Sequence, residues 1–157
     1  MYSHEPSGYL CPFCDWLHGH ETEYNRNSDI VYQTDSLTAF VAPKWWINNP
    51  GSVIIIPNQH HENIYSIPDE SIANIYTSVK KVALGIRTTY ERCEGVSTRQ
   101  HNEPAGNQDV WHFHVHVFPR HTDDHLYQNH DNKRFVSPEE RLPYALKLKR
   151  FFETNNP

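Results

Sequence analysis

Apolar and polar positions alternate most sharply in Trp111-His112-Phe113-His114-Val115-His116-Val117-Phe118-Pro119-Arg120. A period of two belongs to a β-strand, so this stretch predicts a strand with His112, His114 and His116 on one face and Phe113, Val115 and Val117 on the other. At about 3.3 Å rise per residue, the outer histidines lie roughly 13 Å apart and the middle one flanks both. Ile30-Val31-Tyr32 and Leu37-Thr38-Ala39-Phe40-Val41, separated by the turn cluster Thr34-Asp35-Ser36, predict a hairpin. Ser52 to Ile56 is an apolar run of buried-strand length, closed by Pro57.

The period changes after Ser66. Ile72, Ile75, Val79, Val82 and Ile86 step by three and four, which predicts a helix running to about Arg92 with one apolar stripe. Ser66 with Asp69 suggests its cap, and Pro68, Asp69 and Glu70 suit a first turn. Gly95 to Gln100 reads as a strand, Asn102 to Asn107 as a turn, and Pro143 to Phe152 as a terminal helix. Residues 43–51 read as a loop rich in turn formers and aromatics, and 121–134 as a polar excursion. Strands around a central helix, with hairpin-length connections, make an α+β fold with a mostly antiparallel sheet, one long helix and a C-terminal helix. The expected unit is a single domain over 1–157, with 1–10 and 121–136 loose or irregular.

Composition narrows the function classes. The 157 residues suffice for one core, and 13% aromatic with 21% charged residues describes a globular chain. A net charge of −5 argues against coating a nucleic-acid polymer but leaves room for a small phosphate ligand in a local pocket. No apolar run approaches the length of a membrane span, so no membrane partner is expected. The first residues lack the basic region and apolar core of a signal peptide. Three cysteines, an odd number, fit a reducing cytoplasm better than a disulfide scaffold.

With 12 histidines in the chain, His-x-His-x-His is expected by chance only about 0.07 times. A row of imidazoles can attack, bind a metal or donate protons near neutral pH. Cys11-Pro12-Phe13-Cys14 has three readings: a redox pair, which lacks the preceding strand such motifs follow; two unrelated buried thiols; and half of a tetrahedral metal site needing two further ligands. His121, His125 and His130 lie in a polar stretch and read as solvated. Trp45 and Trp46 read as packing residues, and Cys93 as a core-facing or lone thiol.

The triple-histidine strand, preceded by Asn102-Glu103-Pro104-Ala105-Gly106-Asn107-Gln108 and ending in Pro119-Arg120, resembles the histidine triad (HIT) superfamily of nucleotide hydrolases and transferases. Pro50-Gly51-Ser52-Val53-Ile54-Ile55-Ile56-Pro57-Asn58-Gln59-His60 matches the family's strand and following histidine, and Cys11 with Cys14 the N-terminal zinc pair of bacterial-type members. The resemblance implies a two-step displacement through a nucleotidyl-histidine, on dinucleoside polyphosphates or nucleoside phosphoramidates. His114 would be the nucleophile and His116 a partner to the phosphoryl oxygens or leaving group. Gln108, the N–H groups of the Gly106 turn and Asn102 would bind the same oxygens. A structural zinc would be held by Cys11, Cys14, His60 and His112, with His61 competing for His60's place. In triad proteins the loop carrying Trp45 and Trp46 approaches the nucleotide, and a homodimer through the long helix and adjacent strand is expected by resemblance.

Two departures stand out. Asp109 occupies a place where Ser or Thr often follows the Gln, and its carboxylate would repel phosphate unless it points away or substrate choice is altered. Ser52 replaces a His common after Pro-Gly. The rival readings are a non-catalytic nucleotide-binding or scaffold protein of the same fold, and a metalloenzyme using the strand histidines as catalytic ligands.

Overall fold

In the computed structural model residues 2–128 and 132–155 are described, so His130 lies outside the described residues. Five strands form one antiparallel sheet: β1 (Ile30–Gln33), β2 (Leu37–Val41), β4 (Val53–Pro57), β5 (Gly95–Gln100) and β6 (Val115–Arg120), in the order β1-β2-β4-β6-β5. The predicted hairpin is β1–β2, and every residue of β2 and β4 is buried. Such burial is what a continuous Val-Ile-Ile-Ile run requires when both neighbouring positions in the sheet are filled.

Helix α2 (Asp69–Thr89) buries Ile75, Val79, Val82 and Ile86 in one core with Phe113, Val115 and Val117. Its start differs from the expected cap. Pro68 stands at the N-cap, and the Ser66 hydroxyl donates to the Asn63 carbonyl instead. Helix α3 (Pro138–Asn155) packs on α2 and β1 and begins earlier than predicted. Pro143 falls within it as the sixth residue and, lacking an N–H, removes one helical hydrogen bond. Gly51 (φ +80°) lets α3 approach the loop before β4, since a Cβ there would lie 2.3 Å from the Tyr144 ring.

Two parts of the chain are more ordered than the sequence pattern suggested. Within the expected loop and excursion, β3 (Lys44–Trp46) and β7 (Lys133–Phe135) pair antiparallel, Trp46 opposite Lys133. The turn after β6 is built on the buried Asp124 carboxylate. Arg120 donates to both its oxygens (2.7 and 2.8 Å), and Asn49 Nδ2 and the backbone N–H groups of His121 and Leu126 add three more bonds. The first residues carry no regular structure but are tied down. Glu62 accepts from Ser3 and from the backbones of His4 and Glu5, and Asn63 Nδ2 donates to the Tyr2 carbonyl. Among the described residues no helix is long and apolar enough to cross a membrane.

Burial alone would raise the Asp124 carboxyl, but the Arg120 guanidinium and the surrounding N–H donors outweigh it and hold the group well below the carboxylate range. A depressed folded-state pKa stabilises the fold above the unfolded value, near 3.8, and that contribution is lost as pH falls through the acid range. Asp124→Asn is therefore expected to cost about 3 kcal/mol at pH 7. In urea denaturation the gap between variant and wild type should narrow as pH is taken down to 3.

Candidate functional site

The ladder of β6 begins at Val115, later than the alternation suggested, because Phe113 N–H donates to the His61 carbonyl (2.6 Å) rather than to β4. The alternation of faces nevertheless holds through the approach. Phe113, Val115 and Val117 are fully buried in the main core, while the histidines and Phe118 point the other way. Helix α1 (Pro12–Leu17), in the N-terminal segment for which the pattern predicted no element, packs on that second face. Its Phe13 ring lies 5.6 Å from His112 and 5.8 Å from His114 and divides the row into two environments.

His112 faces the start of α1. The ligand atoms of Cys11, Cys14, His60 and His112 all lie within 4.8 Å of one another. Cys11 Sγ and Cys14 Sγ stand 3.3 and 3.6 Å from His112 Nδ1, and Cys14 Sγ stands 3.3 Å from His60 Nδ1. Around a four-coordinate ion with bonds of about 2.0–2.3 Å, ligand atoms are separated by roughly 3.3–3.8 Å, so the cluster fits a tetrahedral metal. Each imidazole has the required tautomer. His112 donates from Nε2 to the Pro57 carbonyl (2.9 Å) and His60 from Nε2 to Glu5 Oε2 (2.8 Å), which leaves both Nδ1 lone pairs for the ion. Burial, then Cys11 beside it, pushes the Cys14 thiol up to about 12, so a cation is needed to hold that sulfur as a thiolate. Of the two adjacent histidines, His60 enters the cluster. His61 does not, and its Nε2 is buried without a partner among the described residues. Glu5 was not legible from spacing, because the residue it orients, His60, lies 55 positions away in the chain.

His114 and His116 face a cavity of about 340 Å³. Their rings are 5.0 Å apart. His114 is buried, and its Nδ1–H donates to the carbonyl of His112 (2.7 Å), so the lone pair is on Nε2. Burial lowers its pKa below the ordinary 6.5, opposed by that carbonyl and by Asp109, and keeps the ring neutral at pH 7. His116 is pushed down further, by burial first and then by His114, His101, Lys133 and Arg99. An imidazole held neutral, with one nitrogen pinned and the other facing a cavity, has what nucleophilic attack requires.

The residues expected to bind phosphate are placed otherwise. Gln108 is buried, its Nε2 donating to the carbonyls of Glu62 (2.6 Å) and Val110 (3.0 Å) and its Oε1 accepting from Glu103 N–H (2.9 Å). Asn102 Oδ1 accepts from Ile64 N–H (2.8 Å), and its Nδ2 donates to Gln100 Oε1 (2.7 Å). Both amides brace the turn, and neither borders the cavity. The N–H groups of Gly106, Asn107 and Gln108 are likewise spent on carbonyls within the turn. The turn puts Glu103 and Asn107 in left-handed backbone (φ 62° and 64°) and delivers Asn107, Asp109 and Val110 to the cavity instead. Asp109 does not point away: its Oδ1 is 3.8 Å from His114 Nε2.

Sequence reasoning missed His101 and Arg99, which also border the cavity. His101 Nδ1 donates to the Gly106 carbonyl (2.6 Å), and Arg99 sits opposite His116 in the β5–β6 register. Their spacing of two, one within the predicted strand and the other just past its end, was the available signal. Trp45 is the packing residue expected, with its ring 5.0 Å from Tyr144, whereas Trp46 lines the cavity wall. Cys93 is buried, its thiol donating to the Gly95 carbonyl. Ser52 is buried with its hydroxyl unpartnered among the described residues.

Comparison with known proteins agrees with this arrangement. The family profile described as HIT domain matches residues 23–123. Protein hit of Bacillus subtilis is 31% identical over 110 residues, covering 70% of this chain and 70% of its own. The bis(5'-nucleosyl)-tetraphosphatase (asymmetrical) of Schizosaccharomyces pombe is 31% identical over 99 residues, 63% of this chain and 53% of that protein. A zinc-bound histidine triad family protein from Mycobacterium smegmatis superposes with a TM-score of 0.73 at 20% identity, over 92% of this chain and 94% of that one. With residues 23–123 matched by the family profile and a relative 31% identical over 70% of both chains, the chain belongs to the HIT-domain family.

Proposed function

We propose that the protein is a hydrolase or nucleotidyltransferase acting on nucleoside phosphoanhydrides or phosphoramidates through a nucleotidyl-histidine on His114. The observation that carries this reading is the His114 Nδ1–H bond to the His112 carbonyl (2.7 Å), which leaves the nucleophilic lone pair on Nε2 at the cavity. In the first step Nε2 forms a bond to the α-phosphorus while the bond from phosphorus to the leaving group breaks, its electron pair departing with that group. In the second, water attacks the same phosphorus, loses a proton to solvent and restores the imidazole. Asp109 and Val110, whose backbone N–H groups donate to nothing among the described residues, border the cavity and are candidates to support the developing charge together with the neutral His116. Pro12, Phe13, Ala42, Pro43 and Ile54 offer an apolar wall for a nucleoside. The likeness to a tetraphosphatase supports the substrate class.

The metal in this reading is zinc, held by Cys11, Cys14, His60 and His112, and the likeness to a zinc-bound family member supports it. It supplies no chemistry to the displacement. It pins α1, and with it Phe13, to the approach of β6, while Glu5 orients His60. The division of the histidines favours this over a catalytic metal on the strand, since His112 alone joins the cluster. A homodimer through α2 extends the reading, supported by the exposed Tyr76 and Leu84 on that helix.

Incubation of wild type with diadenosine tetraphosphate and with adenosine phosphoramidate should give an adenylyl adduct on His114 by mass spectrometry. His114→Ala should lose at least roughly a thousandfold in turnover with its fold intact. Turnover at the wild-type rate would reject the mechanism. Cys14→Ser should lose bound zinc by elemental analysis and melt about 10 °C lower.

A further inference from the structure

Charge is unevenly distributed along the cavity. On the histidine face of β6 the rings run His114, His116, Phe118, with separations of 5.0 and 5.6 Å, the last pair nearly parallel at 11°. Phe13 marks the end nearest His114, and there Asp109 Oδ1 stands 3.8 Å from the attacking nitrogen. The opposite end is cationic. The Arg99 guanidinium lies 5.2 Å from the Phe118 ring, 5.4 Å from Trp46 and 4.6 Å from Tyr127. Lys133 Nζ lies 4.7 Å from the centre of the Trp46 ring, and Lys44, two residues before Trp46 on β3, borders the same cavity.

Among the described residues none of these three cations has a carboxylate within ion-pair distance, although the neighbouring Arg120 is fully paired with Asp124. Aromatic faces fix a guanidinium in place without neutralising it. Three cations held together with no counter-charge repel one another, an arrangement that makes sense where an anionic ligand compensates it. Their effect reaches the reaction centre, because Lys133 and Arg99 both help depress His116.

We propose that Arg99, flanked by Lys133 and Lys44, is the specificity-determining site for the leaving group, binding phosphates beyond the scissile bond so that this chain prefers nucleotide phosphoanhydrides to phosphoramidates. The inference rests on the displacement at His114. When the bond from the α-phosphorus to the bridging oxygen breaks, the electron pair stays on the leaving phosphate, and the new negative charge develops on the side of His116 where Arg99 stands. Such a phosphate departs without being protonated. A phosphoramidate releases an amine instead, which must take up a proton and gains nothing from a cationic wall. Asp109 sharpens the contrast, since it weakens attraction for charge at the α-phosphate and leaves the binding of charge to the far end.

The test compares kcat/KM for diadenosine tetraphosphate and adenosine phosphoramidate in the wild type, Arg99→Met and Lys133→Met. Methionine keeps an apolar stem on the aromatic bed, and Lys133 is exposed, so the second variant stands if the first fails to fold. The ratio of the two constants should fall about tenfold or more in Arg99→Met and by a smaller factor in Lys133→Met, and in wild type it should decline with added salt. An unchanged ratio in both variants, or equal losses on both substrates, would overturn the assignment while leaving His114 chemistry in place. Absence of a His114 adduct with either substrate would instead remove the displacement itself, and this inference with it.

Discussion

His112 is the residue through which the site is assembled. Its imidazole donates to the Pro57 carbonyl at the end of β4 and turns Nδ1 toward Cys11 and Cys14, while its own carbonyl accepts the Nδ1–H of His114. One residue thus sets the tautomer of its neighbour and the docking of α1. A shift of the backbone at 112 would move the metal cluster and the proposed nucleophile together. Because His112 is fully buried, water cannot substitute for any of these bonds, and their geometry is held by the packing around them.

The same economy explains how the two faces of β6 are used. Phe113, Val115 and Val117 fill the core beneath α2, so the strand is clamped from below by apolar contacts that tolerate little displacement. The opposite face is then free to carry polar groups at the cost of desolvation, which keeps His114 and His116 neutral. Around them Asp109 lies beside His114, while Arg99 and Lys133 gather on the rings of Trp46 and Phe118. The small β3–β7 sheet delivers Lys44, Lys133 and Trp46, and it hangs between Pro43 and Val136, joined by a backbone hydrogen bond.

The buried pair of Arg141 and Asp29 (2.8 Å) is the structural counterpart of this placement of charge. Arg141 also donates to the carbonyls of Glu23 and Val136 and so ties the first turn of α3 to the chain ahead of β1 and to the end of β7. Together with the Asp124 turn it orders segments whose own sequences favour coil. Polar networks of this kind contribute less to net stability than to choosing one arrangement among many.

Periodicity, which depends only on local backbone geometry, determined the sheet strands, the stripe of α2, the α+β class and the common face of the three histidines. Spacing and residue chemistry marked Cys11 and Cys14 as half of a possible metal site, because metal coordination constrains ligand types strongly, and the family resemblance pointed to His60 and His112 as the other half. Only the tertiary structure decided between His60 and His61, turned Asn102 and Gln108 into braces of the turn, and brought Glu5, His101, Arg99 and Lys133 to the site. The reason is physical: where these amides find partners, and which strand lies beside His116, depend on pairings such as Gln108 with Glu62, Asn102 with Ile64 and Arg99 with His116, 46, 38 and 17 positions apart. Such non-local contacts leave no period in the sequence, and the cationic end of the cavity exists only once β3, β5, β6 and β7 have been folded together.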